Sequence, residues 1–196
     1  MAARLDGVIA AASKAFDAYD YAGALESIES FFWWFCDDYV ELVKSRAYGA
    51  HGDAAATSAL AALRLALGTL HRLFAPFLPF VTDEVWSWWQ TGSVHAQPWP
   101  TAAGNWGDDT ILEPVCNVLA AVRRAKTEAK ASQKASVAVL TVCAPSAMHA
   151  ALASAEIDLR DAGSITEVRY LPADDLVCEV EMAEVTAEPT TTPTPG

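Results

Sequence analysis

The sequence predicts a mainly α protein: an antiparallel helical bundle followed by a small α+β appendage. Three observations carry that expectation. Apolar residues recur at alternating steps of three and four from Leu5 to the neighbourhood of Ala131, the period of helices that bury one stripe. Short breaks containing Gly, Pro or Asp separate these stretches. Beyond residue 133 the texture changes to β-branched alternation, with Pro145 and Gly163 as punctuation.

The first helix runs from about Ala3 to Ala18, with Leu5, Ile9, Ala12 and Phe16 on one face. Tyr19–Tyr21 marks a turn. The second helix, about Ala22 to Tyr48, carries Leu25, Ile28, Phe32, Phe35, Tyr39 and Leu42 as its stripe. GAHGD closes it, and Asp53 is expected as N-cap of the third helix. There Leu60, Leu63, Leu67, Leu70 and Phe74 repeat the spacing of facing helices in a bundle. Pro76 and Pro79 break that helix, and Pro79 or Phe80 opens a short fourth one reaching Trp89. Thr82, Asp83 and Glu84 are expected to supply acceptors and negative charge to its first turn.

Thr91 to Asp109 reads as loop, and a fifth helix as about Ile111 to Ala131. Val137, Val139 and Thr141 alternate with Ala138, Leu140 and Val142 in a strand. Ser146 to Ala162 is a weaker helix stopped by Gly163, and Ile165–Leu171 and Leu176–Met182 are two further strands. The expected organisation is a bundle over 1–133, an appendage over 134–184, and a Pro/Thr-rich disordered tail over 185–196.

Composition narrows the function. With 53% hydrophobic residues in 196, the chain can bury a core without disulfides or metal. Cys36, Cys116, Cys143 and Cys178 are scattered, with no CxxC, which argues against zinc and suits a reducing cytosol. Neither a signal peptide nor an apolar run of roughly 18 residues is discernible, so a soluble cytoplasmic protein is expected. The net charge of −12 opposes nucleic acid at long range, but charge is unevenly spread. Acids dominate from Ile157 onward, whereas Arg123 to Lys134 holds five basic residues against Glu128 alone. Local field decides where a phosphate sits.

Several side chains are candidates for a binding role. In FFWWFCDDY, Trp33 and Trp34 are adjacent and cannot share a helix face, so one is expected off the stripe. An off-stripe indole either stacks on an unpaired base or packs against another domain. Asp37 and Glu41 share a face, but with no third ligand they read as a charged surface rather than a metal or catalytic pair. Lys44 and Arg46 suit the end of the second helix and are also candidates for phosphate contact. Arg123, Lys126, Lys130 and Lys134 follow at steps of three, four and four, with Arg124 beside them, and predict a positive ridge able to track a phosphate backbone. No Ser/His/Asp set, nucleophile elbow or phosphate-binding glycine loop is discernible, and the four histidines are isolated.

The phrases FFWWFCDDYVELVKSRAY, RLFAPFLPFVTDEVWSWW and SVHAQPWP, in that order, resemble the C-terminal anticodon-binding domain of valyl-tRNA synthetases. YDYAGALE and VRRAKTEAKASQKA extend the resemblance to roughly Leu5–Val168, and the WWFCDDY and WSWWQ wording is most similar to actinobacterial members. Leucyl and isoleucyl enzymes share only the general PFxP…EEIW theme. The resemblance implies a class Ia anticodon-binding bundle that recognises tRNA for the ATP-dependent attachment of valine. It places ATP and Mg2+ in catalytic domains that this chain lacks, so no cofactor is expected here. KASQK at Lys130–Lys134 has the wrong lysine spacing for a KMSKS loop, and no HIGH signature occurs.

Two features depart from the family pattern. An aromatic and Asn-rich helix ahead of Leu5 and a long C-terminal coiled coil, carried by complete family members, do not occur in these residues, and a bundle short of one wall with apolar surface exposed is the expectation. The expected partners are a valine-accepting tRNA and a synthetase catalytic body, with neither membrane nor DNA. The alternative is a protein-interaction or scaffold module that no longer binds RNA. An enzyme with its own active site has no positive support in the residues.

Overall fold

A computed structural model describes residues 1–104, 106 and 110–184. The expected disordered tail at 185–196, and part of the expected loop, lie outside the described residues. The chain is mostly helical, with a small three-stranded sheet near its C-terminal end.

Helix α1 (Ala2–Asp17) buries Leu5, Ile9 and Ala12. Tyr19, at φ 59°, reverses the chain, and the Asp20 carboxylate accepts from the Gly23 amide at 2.9 Å to cap α2 (Tyr21–Trp34). A π turn at Phe35–Tyr39 joins α2 to α3 (Val40–Ala47), so the long second helix is continuous but locally widened. The buried stripe is centred differently from the expected one. Ala24 and Phe31 are buried, whereas Leu25 and Phe32 are only half-buried. Phe31, Phe35 and Tyr39 stack along it with ring centroids 6.0 and 5.7 Å apart.

Helix α4 (Asp53–Phe74) begins one residue earlier than an Asp53 cap requires. Gly52, at φ 84°, is the capping position, and Asp53 sits in the first turn, where its charge still favours the helix dipole. The helix is rotated relative to the leucine stripe. Ala59, Ala66, Leu70 and Leu73 face the core, while Leu67 is 40% exposed. Helix α5 (Pro79–Ser87) ends short of Trp89, with Pro79 in its first turn. Its polar residues do not act as first-turn acceptors. The Thr82 hydroxyl donates back to the Leu78 carbonyl at 2.8 Å. Asp83 instead holds the exit loop, accepting from Ser93 Oγ at 2.6 Å and from the Val94 amide at 3.0 Å. Those donors hold the Asp83 carboxyl below its usual range.

Helix α6 (Leu112–Glu128) buries Val115, Val118, Leu119 and Val122 at the centre of the molecule. It stops three residues before Ala131, with a left-handed Lys130 (φ 52°) whose amide donates to the Thr127 carbonyl while the Ala131 amide donates to the Lys126 carbonyl. Strand β1 (Val137–Ala144) leads into α7 (Ser146–Ser154) and α8 (Glu156–Gly163), a single expected helix that breaks at Ala155. β2 (Ile165–Pro172) pairs parallel with β1, and β3 (Val177–Met182) pairs antiparallel on its other side. Leu140, Val168 and Val180 align across the inner face, as do Val142, Tyr170 and Cys178. One hydrophobic core runs from Leu5 through Phe35, Leu73 and Leu119 to Leu140, Leu159 and Ile165. The bundle and the appendage therefore share their interior.

Candidate nucleic-acid interface

The widened turn at Phe35–Tyr39 gives α6 a place to dock. Arg123 on α6 reaches across to it, donating from Nη1 to Asp38 Oδ1 at 2.8 Å and from Nη2 to the Asp37 carbonyl at 2.5 Å. Both bonds are charge-assisted, so Arg123 is held in a fixed direction. Beside this contact, α3, the end of α6 and the end of α8 enclose a groove of about 750 Å³. Lys44, Arg123, Lys126 and Lys134 line it together with Asp37, Glu41 and Asp161. Four of the basic residues expected from the sequence thus converge in one place, but three carboxylates accompany them.

The positive ridge is not a single helical stripe. Lys126 is 1% exposed, and its ammonium donates to the Gln133 carbonyl at 2.9 Å and the Gly163 carbonyl at 2.8 Å. Burial lowers its pKa from the ordinary lysine value. Its role is to fasten α6 to the end of α8. Lys130 and Lys134 lie beyond the helix and are exposed, as is Arg124 on α6. Among the described residues these three side chains make no ion pair.

The remaining candidates divide similarly. Lys44 is paired with Glu41 one turn before it, at the exposed rim of the groove. Arg46 points elsewhere, donating to Asp158 of α8 at 2.8 Å. Burial raises the Asp158 pKa, and the Arg46 charge partly offsets the rise. His51 Nε2 lies 2.6 Å from Asp161 Oδ2, a second tie between the end of α3 and α8. Trp33 is the off-stripe indole, 60% exposed, with its edge against Phe32. Trp34 turns inward beneath the Arg4 guanidinium, 4.5 Å from its ring centroid.

Sequence spacing did not single out Asp38, Gln133 and Asp161 as neighbours of the basic residues. They come from the π turn, from the loop after α6 and from α8, whose meeting is tertiary. The burial of Lys126 did have a signal. Val115, Leu119, Val122 and Lys126 follow at four, three and four, so the lysine continues the apolar stripe. Among the described residues no group of three His, Cys, Asp or Glu side chains is placed to hold a metal ion. Among the described residues no helix is long and apolar enough to cross a membrane.

Comparison with known proteins adds independent findings. The family described as the anticodon-binding domain of tRNA ligase matches residues 1–141. The valine–tRNA ligase of Salinispora arenicola is 50% identical over 194 residues, covering 89% of this chain and 22% of the relative. That of Thermobifida fusca is 48% identical over 193 residues, covering 96% of this chain and again 22% of the relative. A more distant one, from Tropheryma whipplei, is 39% identical over 183 residues, covering 93% of this chain and 21% of the relative. The chain thus spans less than a quarter of the length of these curated relatives.

Proposed function

The chain belongs to the anticodon-binding domain family of tRNA ligases, and from that premise we propose that it binds valine tRNA as the anticodon-side module of a valine–tRNA ligase. In this reading the catalytic part of a full-length ligase joins valine to tRNA with ATP and Mg2+, and this module contributes recognition. The observation that carries the reading within the structure is the convergence of Lys44 and Lys134 on one groove that Arg123 shapes, with Arg124 and Lys130 exposed nearby.

The physical basis is local. Arg124, Lys130 and Lys134 carry charge that no carboxylate among the described residues engages, so each can neutralise a phosphate and release a counterion. Lys44 joins them when its ammonium exchanges Glu41 for a phosphate, a modest cost because exposed ion pairs are worth about 0–1 kcal/mol. Lys126 and Arg123 shape the groove rather than contact RNA. Trp33 offers an indole face to an unpaired base, worth about 1–3 kcal/mol when stacked. The carboxylates of Asp37, Glu41 and Asp161 keep the groove from being a general polyanion trap.

A second reading is docking to a protein, and one observation favours it. Phe80 on α5 is 89% exposed and Trp88, just past its end, 71% exposed, apolar surface that the catalytic body of a synthetase would cover. Titrating the purified chain with valine tRNA across a salt series tests the first reading. Salt-dependent binding supports it, and stable association with a synthetase body without affinity for tRNA supports the second.

A further inference from the structure

A second pocket, between α4 and α5, shares no described lining residue with the groove. It encloses about 610 Å³ and is lined by Arg64, Gly68, Arg72, Trp86, Trp89 and Gln90, with no carboxylate among its described lining residues. In a chain of net charge −12 that is a local reversal of sign.

Arg64, Gly68 and Arg72 fall four apart on α4, so the arginines flank the glycine about 12 Å apart along the axis. Gly68 lines the floor against the edge of the Trp89 ring, where a Cβ would sit at ordinary contact distance, 3.5 Å. Arg72 Nε donates to the Gly68 carbonyl at 2.9 Å, which aims the guanidinium. Neither Arg64 nor Arg72 has an ion-pair partner among the described residues. Trp86 and Trp89 pack at 5.3 Å and 60°, and His71 braces Trp89 at 5.9 Å while its Nδ1 lies 2.8 Å from the Leu67 carbonyl. The result is a rigid, half-buried indole beside two guanidinium groups, with the exposed Gln90 amide as both donor and acceptor. A flat base carrying a phosphate matches both parts: the ring stacks and the phosphate takes charge-assisted bonds.

The geometry points to a subsite for one unpaired nucleotide, its base on Trp89 and its phosphate between Arg64 and Arg72. The inference rests on reading the chain as a tRNA binder and adds a contact region that the groove does not supply. The test titrates the full chain with a labelled single-stranded pentaribonucleotide of mixed sequence, a blunt RNA duplex and valine tRNA. Arg64→Glu reverses an exposed charge without touching the core, and Gly68→Leu fills the floor. Wild type should bind the pentaribonucleotide more tightly than the duplex. Each variant should weaken that binding about tenfold, the loss of one stacked and charge-paired nucleotide. Absence of pentaribonucleotide binding, or equal affinity in wild type and Arg64→Glu, overturns the subsite. If tRNA still binds in that case, the proposed function stands without it; if neither RNA binds, both fall.

Discussion

The Lys126 ammonium lies 2.8 Å from the Gly163 carbonyl and so joins the last helix of the bundle to the helix that precedes β2. A second bond to the Gln133 carbonyl closes the loop after α6 over the same charge. A lysine that continues an apolar stripe would ordinarily cost stability, and two carbonyl acceptors offset that cost. This buried contact joins apolar packing in holding α6 and α8 side by side at the groove.

Lys126→Met keeps the volume and removes the donor, leaving two carbonyls without their partner. Destabilisation of about 1–3 kcal/mol is expected in chemical denaturation. Because Lys126 faces inward, tRNA affinity of the folded fraction should change less than threefold. A large loss of affinity in a stably folded Lys126→Met would show the ammonium to be a phosphate ligand instead.

Gly163 cannot carry a side chain without displacing Ile165. A Cβ would lie 2.6 Å from Ile165 Cδ1 and 2.8 Å from its Cγ1. Gly163→Ala should therefore cost about 1–3 kcal/mol through overpacking. The loss should be largely relieved in the double variant with Ile165→Val, measured by thermal melting.

Lys130 occupies the left-handed position after α6, which glycine fills without strain. Lys130→Gly should stabilise the chain by about 1 kcal/mol, the typical cost of a side chain in that conformation. If Lys130 also contacts phosphate, tRNA affinity should fall while the melting temperature rises. Opposite movement of the two quantities separates its conformational role from its charge.

Arg46 and Asp158 bond at 2.8 Å with both side chains partly buried. Arg46→Met leaves the Asp158 carboxylate unpaired and should cost about 1–3 kcal/mol near neutral pH. Burial raises the Asp158 pKa even with its partner present, so the native state holds that proton more readily than the unfolded chain does. For this group, stability is full below the unfolded carboxylate range and declines as pH rises through the folded pKa. Removing Arg46 should steepen the decline. Equal pH dependence in wild type and Arg46→Met would remove the electrostatic account of the pair.

The fold class and the family were both legible in the sequence, the first from helical periodicity and the second from three phrases in fixed order. Boundaries of the second helix were legible too, but its phase was not. The π turn at Phe35–Tyr39 has no periodic signature, and the widened turn brings Asp37 and Asp38 to Arg123. On α4 the alanines Ala59 and Ala66 won the core over Leu60 and Leu67, because close packing against α1 and α2 favours small residues where helices approach. The candidate site was half legible. Charge spacing found the residues around the groove, but it assigned Lys126 to the surface and missed the carboxylates that distant elements bring beside it.

Anticodon-side tRNA binding is tested by titrating the 196-residue chain with valine tRNA from low to moderate salt, beside the same tRNA with its anticodon exchanged and beside a Lys44→Glu/Arg124→Glu/Lys134→Glu variant. A phosphate-tracking groove predicts binding whose logarithmic affinity falls with log salt at a slope of about −2 to −4, the value for three to four phosphate contacts. It further predicts weaker binding to the exchanged anticodon and a slope in the variant shallower by about 2 to 3. No binding to either tRNA at low salt would contradict it, as would binding that the triple charge reversal leaves unchanged.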